Sequence, residues 1–337
     1  MKYRAALIGC GNIGSLYAED PLIKGIYTHA EAYVVCENVE LVALCDVNKE
    51  NLLKCAERWN VSSVYSNVEK LLAEQHPEIV SLCTPDKTHA DLLDIILKTP
   101  GVRAVLAEKP LALDSGSAER LVHLAKKQDV ILAVNYSRRY STGHIQLKKI
   151  IQSGEIGSIQ SVSGFYTKGL FHNGTHWLDL ARWLIGEIKS VQGFNINNAN
   201  PTDPTLNAWL KFENGAEGFL YGLDAEAFSL FEMDIMGTKG RIRLIDSGHR
   251  VEFFEVAKSS YYSGYKTIQK THEQEGELGN TLLHAVNDLV TCLELKLQPQ
   301  CSGADALVAL NIATAIVKSA QSGKPFTLKE NMKEDVA

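Results

Sequence analysis

Up to Val134 the chain alternates between short apolar runs and stretches whose apolar residues recur every third or fourth position. Runs at 3–9, 39–45, 64–65, 79–83, 102–107 and 130–134 read as strands, and the periodic stretches at 49–58, 68–75, 88–98 and 115–128 as helices. In the stretch 88–98, Leu92, Leu93, Ile95 and Ile96 form the inward face. Strands that alternate with helices predict a doubly wound parallel sheet with right-handed crossovers. Ligands of such sheets bind beyond the carboxyl ends of the strands.

From about residue 140 the pattern changes. A helix over 144–153 ends at Gly154, and Leu206, Ala208, Leu210 and Phe212 then alternate with outward-facing neighbours. Glu213-Asn214-Gly215 signals a hairpin turn into a strand at 216–222, and 231–236, 241–245 and 251–256 supply further, antiparallel-looking strands. Amphipathic stretches at 281–297 and 304–321 read as helices that close the fold. The chain of 337 residues exceeds what one core usually encloses, so two domains are expected. Their bounds are 1–138 and 139–330, with 331–337 a charged tail.

The polar residues at the strand ends carry the candidate chemistry. The first strand runs into Gly9-Cys10-Gly11-Asn12-Ile13-Gly14 and then Ser15 to Ala18, which reads as helix. A dinucleotide site needs such glycines for a tight turn, for backbone approach to the pyrophosphate and for close packing of helix on strand. The helix N-terminus then meets the phosphates with free N–H groups. Alone the glycine pattern is weak, but the second strand stops at Asp46, placed to accept from the adenosine ribose hydroxyls. This carboxylate favours NAD and repels the 2′-phosphate of NADP. The excursion 20–36, with Thr28-His29-Ala30, is expected to reach over the site, and a capping or packing role competes for His29. Thr84-Pro85 and Glu108-Lys109-Pro110 close two further strands and line the nicotinamide half, with His89 as binder or cap. Lys109 leads the catalytic candidates; an ordinary Lys-Pro turn is the plain alternative.

Composition removes several function classes. The formal charge is −6, with no basic block to recruit nucleic-acid phosphates. Seven cysteines, odd in number and without a CxxC pair, fit free thiols in a reducing cytoplasm. No apolar run is expected to reach the roughly 20 residues of a membrane span, and the chain enters a strand without a signal-peptide core.

A second polar cluster lies at 171–184. From Thr175 the stretch reads as a buried helix whose exceptions are His176, Asp179 and Arg182, spaced by three, so His176 and Asp179 share a face. His172 and His176 stand at i, i+4, but no third ligand follows at motif spacing, so no metal is expected.

The glycine turn at 9–14, Asp46, Thr84-Pro85 with His89, Glu108-Lys109-Pro110, Arg139 and Gly174 to Asp179 together resemble the Gfo/Idh/MocA oxidoreductase family over nearly the whole chain. The resemblance implies a Rossmann domain, a C-terminal α/β domain with a large open sheet, and dimers or tetramers joined through that sheet. It implies NAD(P)-dependent hydride transfer at a carbinol carbon of a sugar, cyclitol or nucleotide-sugar. It sets the residues matching Lys109 and His176 beside the reacting hydroxyl, with a Lys-Pro bond that is commonly cis. One departure is His172, where many members carry an aspartate; its loss leaves Asp179 as the local anion for His176.

On this reading Lys109 orients the hydroxyl and passes on its proton, and His176, oriented by Asp179, is the other acid/base group. Gly9, Gly11, Asn12, Ile13, Gly14, Asp46, Thr84, Pro85, His89, Glu108, Lys109 and Arg139 are the cofactor candidates. Tyr136, Arg138, Arg139, Tyr166, Lys168 and His172 are polar groups offered to the substrate, each with a packing role in competition. Two alternatives remain: an NAD-dependent glycosidase, which hydrolyses without net cofactor reduction, and a cofactor-bound regulator, which would lack Lys109 and His176.

Overall fold

The computed structural model describes residues 2–195 and 202–328. The chain forms two compact units, one of residues up to Ser141 with Gly279–Leu307, the other of Thr142–Leu278 with the stretch from Val308 onward.

The first unit holds strands β1 (Tyr3–Ile8), β2 (Val39–Cys45), β3 (Val64–Tyr65), β4 (Ile79–Leu82), β5 (Ala104–Ala107) and β6 (Ile131–Val134). They pair in the order β3-β2-β1-β4-β5-β6, all parallel. Every residue of β4 and β5 is buried, as expected of strands covered on both faces. The strand order reverses between β1 and β4, which makes their carboxyl ends the binding crevice of the sheet. The crossovers contain α1 (His29–Val35), α2 (Lys49–Trp59), α3 (Val68–Gln75), α4 (His89–Lys98) and α5 (Ser115–Lys127). Besides α1, where the Thr28 side chain accepts from Glu31 N–H, three begin at side-chain caps, each worth about 1 kcal/mol. The side chain of Asn48 accepts from Glu50 and Asn51, Asn67 from Lys70, and Asp114 from Ser117.

The second unit contains α6 (Thr142–Gln152), β7 (Ile159–Tyr166), α7 (Thr175–Ile185), β8 (Ile188–Asn195), β9 (Leu206–Phe212), β10 (Glu217–Gly222) and β11 (Phe231–Gly237). It continues through β12 (Gly240–Ile245), β13 (Arg250–Lys258) and β14 (Lys266–Glu275). Two helices, α8 (Thr281–Leu295) and α9 (Gly303–Ser322), and β15 (Phe326–Thr327) complete the described chain. The nine-stranded sheet runs β14-β13-β12-β11-β7-β10-β9-β8-β15, antiparallel except for β7 with β10. One face carries Leu206, Ala208, Leu210, Phe212 and Leu220, which share a core with Trp177 and Leu178 of α7 and Ile312 and Ile316 of α9. The other face leaves Phe165, Phe219 and Tyr221 exposed, with the rings of Phe165 and Tyr221 stacked at 5.5 Å.

Two expectations are corrected. Residues 139–330 do not form one domain, because α8 packs on α1, β5 and β6 of the first unit, burying Leu282, Ala285, Val286 and Leu289. A run long enough for a membrane span does exist: α9, of 20 residues, qualifies by length and composition, and scattered polar residues such as Asp305, Asn311 and Lys318 hide it in the sequence. Half of that helix is buried within the protein. The charged tail lies outside the described residues.

Candidate active site

At the end of β1 the glycines answer to different neighbours. Gly9 has φ +96°, and a Cβ there would lie 2.5 Å from the carbonyl carbon of Cys83 on the adjoining strand end. A Cβ on Gly14 would run into the Gly9 carbonyl oxygen, whereas one on Gly11 would meet no protein atom within 4 Å. The fold itself therefore requires Gly9 and Gly14, while the bare backbone of Gly11 suits the close approach of a pyrophosphate. Ser15 and Leu16 N–H both return to the Gly11 carbonyl, closing the turn.

The helix expected at 15–18 is a single 3-10 turn, Leu16–Glu19. Pro21 and Gly25 interrupt the chain beyond it, and α1 starts only at His29, with the Thr28 side chain capping it by accepting from Glu31. His29 and Ala30 N–H donate to the carbonyls of Ile13 and Gly14, so the amino end of α1 abuts the glycine turn from within. Thr28, His29 and Ala30 are fully buried; they do not reach over the site as expected.

Asp46 follows β2 directly. Its Oδ2 accepts from Cys10 N–H at 2.7 Å and its Oδ1 from Asn48 N–H at 2.7 Å. A carboxylate offers about four acceptor sites, so both oxygens keep capacity for ribose hydroxyls. The residues present thus fit a dinucleotide: an open glycine, a carboxylate anchored beside it, and Thr84, Pro85, Glu108 and Lys109 at neighbouring strand ends of one sheet.

The Lys109-Pro110 bond is cis. Glu108 Oε1 accepts from His29 Nε2 at 3.0 Å and from Asn135 Nδ2 at 2.6 Å. Burial pushes the Glu108 carboxyl up, but the His29 and Asn135 bonds and the Lys109 charge outweigh it and hold the group below the ordinary carboxyl range. His29 is therefore neither cap nor lid; it is bonded to the residue before Lys109. Asn135 was missed in sequence, since nothing local marks an asparagine just after a strand.

Two cofactor candidates have other partners. The ring nitrogens of His89 lie 2.7 Å from the Pro110 carbonyl and 2.8 Å from the Thr84 carbonyl, so this buried side chain ties the two strand-end turns together. Arg139 is buried with its guanidinium on the Gln300 carbonyl at 3.1 Å and the Asp305 carboxylate at 3.2 Å, which fastens the segment after β6. Tyr136 is also buried at this end.

In the second unit α7 buries Asp179 and leaves His176 partly exposed. Arg182 is nearly buried and makes a two-pronged pair with Glu187 at 2.8 and 2.9 Å. Tyr166 is corrected as a substrate group: its hydroxyl donates to the Leu206 carbonyl at 2.8 Å and accepts from Leu206 N–H at 2.9 Å, pinning β7 to β9. Lys168 is exposed in a left-handed turn before Gly169. His172 is exposed in a π-turn, with an anion beside its backbone that the sequence did not reveal. Asp203, distant in sequence, accepts from Phe171 N–H at 2.7 Å and His172 N–H at 3.0 Å.

A parallel 3-2-1-4-5-6 sheet with a glycine turn and an anchored carboxylate at its switch point defines a dinucleotide-binding protein. Residues 3–136 match the family model described as an oxidoreductase family with an NAD-binding Rossmann fold, and 166–243 match the C-terminal domain of the same family. Together these take in more than half of the chain, and the protein belongs to the Gfo/Idh/MocA family of NAD-dependent oxidoreductases. It is 26% identical to a myo-inositol 2-dehydrogenase of Thermotoga maritima, over 97% of this chain and 99% of that one. It is 24% identical to an NAD+-dependent scyllo-inositol 2-dehydrogenase of Bacillus subtilis, over 97% and 96%. The fold is shared with the WlbA dehydrogenase of Bordetella pertussis in complex with NADH and UDP-GlcNAcA, with TM-score 0.76 and 22% identity over 97% of this chain and 99% of that one.

Proposed function

We propose that this protein transfers hydride between NAD and a carbinol carbon of a sugar, cyclitol or nucleotide-sugar. The observation that carries the reading is the sharing of one sheet edge by the Gly11 and Asp46 pair and the Glu108-Lys109-Pro110 strand end. The relatives' names, inositol dehydrogenases among them, support the substrate class. Bound nicotinamide supplies the hydride acceptor or donor at its C4. Asp46 holds the adenosine ribose, and the backbone at Gly11 to Gly14 meets the pyrophosphate. Lys109 donates a hydrogen bond to the substrate hydroxyl and takes part in moving its proton. His176, with Asp179, is assigned the second acid/base role, and Tyr136, Lys168 and His172 remain substrate contacts in this reading. A screen of polyols, sugars and nucleotide-sugars, followed by NADH absorbance, is expected to give turnover with at least one class. Hydrolysis products without net NADH would instead favour the glycosidase, and binding without any turnover the regulator.

The same reading places the protein in the cytoplasm, without nucleic-acid or membrane partners, as a homo-oligomer. All seven cysteines are free and buried, which suits a reducing compartment. Phe165, Phe194, Phe219 and Tyr221 line the uncovered face of the large sheet, and a symmetric copy of that face is the expected cover. Sedimentation at micromolar concentration should show a dimer or tetramer; a monomer would contradict this assembly.

A further inference from the structure

Behind the Lys109 strand end runs a buried chain of hydrogen bonds that the reaction as described does not use. Tyr33 Oη lies 2.6 Å from Ser81 Oγ, Ser81 Oγ lies 2.8 Å from His29 Nδ1, and His29 Nε2 lies 3.0 Å from Glu108 Oε1. Tyr33, Ser81 and His29 are fully buried, and Asn135 is 4% exposed. They come from α1, from β4 and from just beyond the end of β6, and converge on the residue that precedes Lys109.

One end fixes the hydrogens of the whole chain. Ionised Glu108 can only accept, so His29 must carry its proton on Nε2. In the neutral ring Nδ1 is then an acceptor and takes the Ser81 hydroxyl hydrogen, and Ser81 Oγ in turn accepts from Tyr33. Each donor has one acceptor, with no hydrogen left over. The other titratable neighbours stay neutral, since burial pushes the Tyr33 phenol and the Cys83 thiol up. Lys109 and, when protonated, His29 are the cations that face Glu108.

We propose that His29 is a positioning residue for proton handling at Lys109: through its Nε2 bond it holds Glu108 ionised and in place, and so fixes the strand end from which Lys109 projects. This rests on the assignment of Lys109 to the substrate hydroxyl. Losing the bond leaves a largely buried carboxylate short of a donor, an expensive state that relaxes by proton uptake or by movement of the strand end. A displacement of about 1 Å at a reacting group costs on the order of 100-fold in rate.

The test uses the full chain and three variants. His29→Leu removes both bonds. His29→Asn sets its amide near the Nδ1 position and leaves Glu108 with the Asn135 donor alone, while His29→Gln carries an N–H to the Nε2 position. The Leu and Asn variants should lose roughly 10–100-fold in kcat, with NADH affinity by fluorescence within about threefold of the parent. Glu108 is depressed in the folded parent, so losing a donor raises it and moves the acid limb of the kcat/KM profile to higher pH. The Gln variant should recover parent kcat and profile to within about threefold. In the ligand-free parent, a 15N-histidine spectrum should show one ring, absent from the variants, as the Nε2–H tautomer. An Nδ1–H tautomer, equal behaviour of Asn and Gln, or a normal profile in the Leu variant beside an inactive Lys109→Ala would each overturn the proposal. Normal turnover in Lys109→Ala, with the Nε2–H tautomer intact, would instead remove the role given to Lys109. If His29→Leu does not fold, the Asn and Gln pair decides the outcome alone.

Discussion

Lys109→Ala is expected to lose about 10²–10⁴-fold in turnover, the range for removing a general acid/base group, while binding NADH with little change. The separation follows from position. Lys109 sits past the end of β5, whereas the anchors assigned to the adenosine half, Asp46 and the glycine turn, belong to β2 and β1. The His89 clip to the Pro110 and Thr84 carbonyls involves backbone atoms that alanine keeps. Loss confined to kcat therefore reports the ammonium group and not a collapsed turn. Near-normal turnover would reduce Glu108-Lys109-Pro110 to a structural turn, and an equal loss of NADH affinity would show that the turn had moved.

The unmodified protein should bind NAD more tightly than NADP, and Asp46→Ser should narrow that gap by weakening NAD about 10–100-fold. The estimate takes roughly 1.5–3 kcal/mol for a hydrogen bond to a charged group. Asp46 spends one oxygen on Cys10 N–H within the glycine turn and the other on Asn48 N–H ahead of α2. In the binding mode proposed above, that carboxylate is fixed where a 2′-phosphate would meet a negative charge that cannot swing away. Serine removes that repulsion and leaves the turn with one short acceptor in place of two. Fluorescence titration of both nucleotides measures the preference. Tighter NADP binding by the unmodified protein would overturn it.

Much of this site was legible because the first unit obeys a simple grammar. Apolar runs buried on both faces alternate with helices of clear period, so each strand end, and the polar residue on it, could be placed from the chain alone. The sequence was misleading where stability comes from elsewhere. In β14 nearly every residue is exposed, and the strand is held by its ladder to β13 with ion pairs from Lys270 to Glu252 and from Arg250 to Glu273, so it carries no apolar alternation. The helix after the glycine turn was set too early because Ser15 to Ala18 has good helix formers, while Pro21 and Gly25 prevent continuation. Partners far apart in sequence were invisible. Asp203 beneath Phe171 and His172, Arg139 with Asp305, and His29 with Glu108 depend on the return of distant segments, which no local pattern encodes.

The placement of α8 also orders events during synthesis. The face formed by α1, β5 and β6 receives Leu282, Ala285, Val286 and Leu289 from a segment that is translated after all of residues 142–278. A ribosome emits the chain from its amino end, and domains generally close as units once their last residue is out. Although the other unit, whose core takes Ile312 and Ile316 from α9, is completed later still, the amino-terminal unit cannot close when residue 141 has emerged. It must wait with an apolar face uncovered while the whole middle of the protein emerges, and a nascent chain stalled short of α8 would present that face to chaperones.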